Sequence, residues 1–459
     1  MTNDSLAAAL GGAPNPIEYL RNQDWPAFTF PVAPEFTNWR DEQRAWNTTV
    51  ALMDQSHHMT QLFLGGADLV PLLESISPNT FTNFRAGVAK QLISVNQDGY
   101  LIGDGILFYN DEGPEGRVLI GHHILIDWVR YNVELAAAAG KDVVYRLEAN
   151  SHMRDGDPTF YRYELQGPEA DRVMAKLFDA ESMAVATSLK FFHIGDFTIA
   201  GKAVKGLRHG MAGQPGFEFY GPYAEGETVR AAILEAGAEF DIRRVGAKAY
   251  SSSPLESGWV PTPFPAIFDE DLAAYREWLP AARAGSVGGS LYSSDVRDFY
   301  MTPYDIGLGR SVRFDHEFHG RAALEVHAAN QRRRKVTLVW NAEDVAGVVR
   351  SQLEPGVPAK FLDFPKARYG LYQMDEIRKD GKRVGISTDV GYVAYSQLYL
   401  SLATLDVDIA DGEEVEVVWG EDPISQKAAV DQQHRQVRIR ATVAPAPYHE
   451  WARTTYRQN

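Results

Sequence analysis

The order of apolar and polar positions divides the chain into many short strands and a few helices. Strand-like runs stand at Thr60–Leu64, Val88–Val95, Tyr100–Tyr109, Arg117–Gly121, Phe160–Leu165, Phe217–Tyr220 and Lys335–Trp340. They alternate, or carry β-branched and aromatic residues, between Gly, Asp and Asn turns. Helical spacing is rarer. Trp39–Met53 opens with charges and sets Trp46, Val50 and Met53 on one face, and Ala67–Ser75 follows a Gly-Gly turn. Ala170–Phe178 and Gly226–Ala238 are amphipathic, the latter with acidic residues suited to a helix N-terminus. After about residue 330 the pattern predicts only strands, at Val384–Ser387, Ser401–Asp408 and Glu413–Trp419, with a turn at Lys379–Lys382. A small all-β domain is therefore expected there. The basic run Gln331–Lys335 is expected to be a solvated turn, and Pro254–Pro265 a rigid connector or wall.

Composition narrows the classes. The chain has 459 residues, enough for two to four domains, and 45% hydrophobic with 23% charged residues excludes wholesale disorder. The 45 Lys+Arg against 61 Asp+Glu leave a net charge of −16, which argues against nucleic acid or a membrane surface as partner. The absence of cysteine removes disulfides, thiolate metal sites and thiol nucleophiles. Met1–Pro14 has no basic residue ahead of its Ala/Leu stretch, and no run approaches ~18 apolar residues. A cytoplasmic protein, monomeric or a small homo-oligomer, is expected.

Five groups of residues can carry chemistry. Asp54–Met59 (DQSHHM) holds His57 and His58, which point to opposite sides if the segment is extended. No second His or carboxylate group stands at metal-ligand spacing, so no metal site is expected. Asp104 lies among glycines, either in a hairpin turn or at a site. His122 and His123 end a strand, where binding groups often sit; a histidine bonded to backbone is the alternative. Gln166 follows a strand, and Glu218 sits among aromatics in GFEFY, either facing solvent or buried with a partner. Tyr250, Glu256 and Trp259 fall within ten residues ahead of the Pro-rich segment, as a site or as plain packing.

In this order the groups resemble the folate-dependent T-protein family, to which the glycine-cleavage aminomethyltransferase belongs. The resemblance rests on DQSHHM at Asp54–Met59, Gly99–Asp104, QGP at Gln166–Pro168, GFEFY at Gly216–Tyr220, LESG at Leu255–Gly258 and FHGRAAL at Phe318–Leu324. It runs from about Arg40 to the end. Within the family, NWRDEQRAW at Asn38–Trp46, QSHHM and AYSSSPLESGW at Ala249–Trp259 are most similar to the tetrahydrofolate-dependent aryl O-demethylases acting on vanillate, 3-O-methylgallate and syringate. An enzyme acting on the methoxybenzoate dicamba is a near relative.

The resemblance implies an α+β fold, a three-domain cloverleaf of the T-protein type. Residues 1–330 would form two interleaved α/β folate-binding domains, and 331–459 a β-barrel-like domain. It implies tetrahydrofolate as cofactor, held by Glu218 with Gln166 nearby and Trp259 and Phe191 against its rings. Tyr250 would stand beside the transferred methyl and His58 beside the ether oxygen. Tyr250 is the first candidate for the acid, His58 the second, and Asp104, matching a T-protein acid, the third. His57, His58, His122 and His123 are the candidates for a small methoxyarene; the family's carboxylate-binding arginine would fall where this chain reads His122-His123. A glycine-cleavage-type aminomethyltransferase and a non-enzymatic folate-binding module are the alternatives.

Overall fold

The computed structural model describes residues 4–24 and 30–455. The first three residues of the stretch read as lacking a leader, and the last four of the family resemblance, lie outside the described residues. Two sheets share the first half of the chain. One has the order β11-β1-β7-β10-β9-β8, built from β1 (Ala51–Asp54), β7 (Phe160–Gln166), β8 (Ile194–Ile199), β9 (Lys202–Arg208), β10 (Gly216–Pro222) and β11 (Arg243–Val245). The other has the order β3-β4-β5-β2-β6, from β2 (Thr60–Gly65), β3 (Val88–Val95), β4 (Leu101–Tyr109), β5 (Arg117–Gly121) and β6 (Val144–Glu148). The chain enters the first sheet through β1, leaves it for the whole of the second, and returns at β7. Interleaving follows directly from that path.

The centre of the first sheet explains where a site can form. Strand β7 is hydrogen-bonded on both edges, to β1 and β10. Tyr161, Tyr163 and Leu165 pack with Phe217, Phe219, Val173 and Val229 into one core. Arg162, Glu164 and Gln166 alternate with them and so project from the other face, where all three are buried. An interior strand with three polar residues on one face must find partners for them.

The last third closes on itself. Arg333–Trp340, Leu398–Asp406, Lys382–Val393, Asp375–Lys379, Glu414–Trp419 and Val437–Pro445 pair in sequence around a six-stranded barrel, the last bonded back to the first. Its interior holds Trp340, Trp419, Val336 and Val417. Closure removes free edges from strands that would otherwise template pairing. Another core runs from the N-terminal helices through β4 and residues 260–312 to barrel residues such as Leu400 and Leu402. Among the described residues no helix is long and apolar enough to cross a membrane.

Several expected elements differ. The helix from Trp39 ends at Thr48, because Ala51–Met53 pairs with β7 and β11. His123–Ala138 is a helix of 16 residues that the apolar run Val118–Val129 concealed. The all-β expectation misses Ala342–Ser351, a helix whose Asn341 side chain caps the backbone N–H of Glu343 and Asp344 at 3.1 and 3.2 Å. The basic run is not a solvated turn: Arg333 to Lys335 begin a barrel strand and are half-buried.

Candidate active site

A cavity of about 370 Å³ lies where the two sheets, the segment after Tyr250 and a barrel strand meet. It gathers His58, Asp104, Phe191, Glu218, Tyr250 and Trp259. The remaining expected residues are elsewhere. His57 faces a second, surface cavity with Asp54, Arg154 and Arg230, so the two histidines do diverge. His122 precedes the helix at His123, and both residues are half-buried and outside the lining of the main cavity, His123 Nε2 lying 2.8 Å from the Arg283 carbonyl. The backbone-bonded alternative thus holds for His123, and neither residue is among those lining the main cavity. Gln166 stands one layer behind the wall.

Glu218 is the electrostatic centre. Arg162 Nη1 donates to its Oε1 at 2.7 Å, and His209 Nε2 lies 3.3 Å from Oε2. Burial alone would raise the Glu218 carboxyl, but Arg162 and His209 outweigh it and hold it down at about 2. The same contact keeps His209 above the usual imidazole value, despite its burial. Arg162 also lies over the rings of Phe108 and Tyr220, each 4.8 Å away, and its Nη2 reaches Gln61 Oε1 at 3.3 Å. The pair is therefore a buried, multiply supported carboxylate with lone pairs left toward the cavity. Behind it, Glu164 lies opposite Glu218 in the β7–β10 register. It accepts from the side-chain amides of Gln55 and Gln166 and, at 2.6 Å, from the Met211 N–H. Burial, and then repulsion from Glu218, raise it to about 7.

Tyr250 and His58 form the second feature. The phenol oxygen is 2.9 Å from His58 Nε2, with the ring of Phe30 against both, at 6.5 and 5.6 Å between centroids. Burial lowers His58 to about 4 and lifts Tyr250 well above its ordinary value. At neutral pH both groups are uncharged: a phenol that keeps its proton and an imidazole with one N–H and one bare nitrogen.

Asp104 is not in a turn. The turn is at Asn96–Gly99, with Gly99 at φ +78°, and Asp104 sits mid-strand opposite Ile93. Trp259 Nε1 donates to Oδ2 at 3.1 Å, and the Gln91 amide donates to the same oxygen. Burial raises Asp104 to about 6, more than those two bonds lower it. The free carboxyl ionises near 3.9, so the folded protein binds the extra proton between about pH 4 and 6. Stability relative to Asp104→Asn should therefore fall by about 3 kcal/mol as pH rises through that window. Chemical denaturation of both proteins at pH 4, 5, 6 and 7 checks this; a constant difference contradicts it.

Residues outside the expected set complete the wall: Arg162, His209, Gln55, Met211 and Lys335, whose Nζ lies toward the Gly258 carbonyl. The alternation Arg162-x-Glu164-x-Gln166 on a both-faces-buried strand is a readable signal for the first of them. His209 lies in a loop and offers none. Phe192, at φ +61°, turns the chain so that it and Phe191 both line the cavity.

The GCVT N-terminal domain family matches residues 9–262. A syringate O-demethylase of Sphingobium sp. (strain NBRC 103272 / SYK-6) is 42% identical over 98% of this chain and 97% of its own length. The chain belongs to the GCVT family. Its likeness to that O-demethylase over nearly the whole of both chains makes it a methyltransferase, and a sesamin methylene transferase of Sinomonas sp. (strain No.22) is 31% identical over 83% and 82% of the two chains. An aminomethyltransferase of Pseudothermotoga lettingae is 24% identical over 86% and 88%. The solved aminomethyltransferase T of the Bartonella henselae glycine cleavage system covers 94% of this GCVT-family chain with a TM-score of 0.59 at 17% identity, which supports the fold.

Proposed function

We propose that this protein is a tetrahydrofolate-dependent O-demethylase: it moves the methyl of a methoxylated aromatic acid of the syringate, vanillate, 3-O-methylgallate or dicamba class to tetrahydrofolate. The products are a phenol and 5-methyltetrahydrofolate. The observation that carries the reading is the Tyr250–His58 pair, 2.9 Å apart and uncharged, in the same cavity as the ionised Glu218.

The donor set fits the cofactor. Glu218 offers a fixed negative charge to pterin N–H groups, Trp259 and Phe191 offer aromatic faces, and Asp104 a carboxyl that is neutral or ionised near pH 6. Tetrahydrofolate, when bound, supplies the amine nucleophile that takes the methyl. The chain's own residues must align the methyl and hold a proton for the departing oxygen, whose phenol has a pKa of about 10. Alignment in a fixed cavity supplies up to ~7–11 kcal/mol. Tyr250 holds the proton. With Nε2 protonated, His58 donates to the Tyr250 oxygen and leaves the phenolic hydrogen free to point at the ether oxygen. As the C–O bond breaks, Tyr250 gives up that hydrogen and the His58 N–H stabilises the phenolate left behind. The proton that the methylated amine would lose restores Tyr250, directly or through solvent, so the net exchange is one methyl for one proton.

Incubation without oxygen of the protein, tetrahydrofolate and a panel of methoxybenzoates tests the reading. Syringate or a near analogue is expected to yield its phenol in equal amount to 5-methyltetrahydrofolate; silence across the panel would overturn it.

A further inference from the structure

The helix Ala342–Ser351 lies on the outside of the barrel, where Val348 packs into the barrel core and Ser351 is buried. A surface helix ordinarily turns charge outward from such a contact. This one turns Ala342, Ala346 and Val349 outward, with Leu353 in the turn that follows, at the three- and four-residue spacing of one helix face. They form one side of a groove of about 530 Å³ whose floor and other side are Trp340, Phe364, Tyr392 and Leu398. Leu353 is 84% exposed, more than any other large apolar side chain among the described residues, and Val349 and Phe364 are 43% and 44% exposed. An open apolar surface of this kind marks an interface.

The charges beside the stripe indicate what covers it. Arg350 is the one charged residue among those lining the groove, and Glu343 stands seven residues before it. Seven residues make about two turns and about 10 Å, so both side chains flank the stripe along the same edge. Both are exposed, and among the described residues neither is in an ion pair; Arg440, whose field includes Glu343, is itself held by Asp344 at 2.9 Å. A two-fold axis through the middle of that interval, between Ala346 and Gly347, sets Glu343 opposite Arg350 of a second copy and Arg350 opposite its Glu343. The same operation lays Leu353 of each copy beside Trp340 and Ala342 of the other, where the small Ala342 side chain leaves room. We infer that the groove is a self-complementary interface, through which two copies of this chain pair antiparallel along the helix Ala342–Ser351. With ten helical residues a side, the contact is smaller than that of a permanent dimer and is expected to be reversible at about micromolar concentration.

Sedimentation velocity of the full chain from about 1 to 100 μM is the test. A reversible shift to twice the mass of one chain is expected. Leu353→Glu should weaken pairing by about a hundredfold, and Arg350→Glu or Glu343→Arg alone by about tenfold. Glu343→Arg/Arg350→Glu should restore it, because the exchanged charges again face each other across the axis. All the substituted positions are exposed, so the circular dichroism of each variant is expected to match wild type. A monomer at the highest concentration overturns the interface. So does a dimer that Leu353→Glu and both single charge reversals leave intact, which would be built on another face. A double exchange that fails to restore pairing overturns the antiparallel arrangement.

Discussion

Tyr250→Phe is expected to lower kcat by about 10²–10⁴-fold and to leave tetrahydrofolate affinity nearly unchanged. Among the described residues the partner of the phenol oxygen is His58 Nε2, and removing the hydroxyl deletes the proton without opening a cavity. The ring keeps its edge contacts with His58 and Phe30. The pH dependence should follow from the same pair. His58, lowered to about 4 by burial, stays neutral down to that value. Activity is therefore expected to hold as pH falls through 6.5, where an exposed histidine would protonate, and to fail only nearer 4. Single-turnover rates of wild type and Tyr250→Phe from pH 4.5 to 8 check both points. Full activity in Tyr250→Phe would give the acid role to His58.

Glu218 carries the other large effect. Glu218→Gln removes a charge held at about 2 by Arg162 and His209, and should weaken tetrahydrofolate by about ten- to a hundredfold, the worth of a charge-assisted bond of about 1.5–3 kcal/mol. Glu218→Ala should add a stability loss of about 3–5 kcal/mol, because Arg162 and His209 would remain buried without their partner. Equilibrium binding and urea unfolding separate the two. Unchanged folate affinity in a folded Glu218→Gln protein would remove the carboxylate from the cofactor site.

What the chain discloses depends on how local the signal is. The strands were readable because alternation is a property of adjacent residues. The helix His123–Ala138 was not, because His122 caps it without a side-chain bond and Ile124–Ile126 looks like a continued strand. The helix at Trp39 was read too long because Val50 and Met53 fit its period, while pairing with β7 decides their conformation. At the site, family resemblance named the residues, but the residues alone left open whether Glu218 faced solvent and Asp104 a turn. Those choices depend on Arg162, His209, Gln91 and Trp259, which reach them from other strands and loops. Long-range partners leave no mark on neighbouring positions. His122 and His123 show the converse: a conspicuous pair whose place outside the cavity lining could not be seen in their spacing.

Direct transfer of an aryl methyl to folate is the step on which the proposed function turns. Syringate labelled with carbon-13 in its methoxyl groups, supplied with unlabelled tetrahydrofolate in the absence of oxygen, tests it most directly. The label is expected in 5-methyltetrahydrofolate, one carbon per phenol released, at a rate reduced in Tyr250→Phe. Label in formaldehyde or methanol, or turnover that requires oxygen, would contradict it.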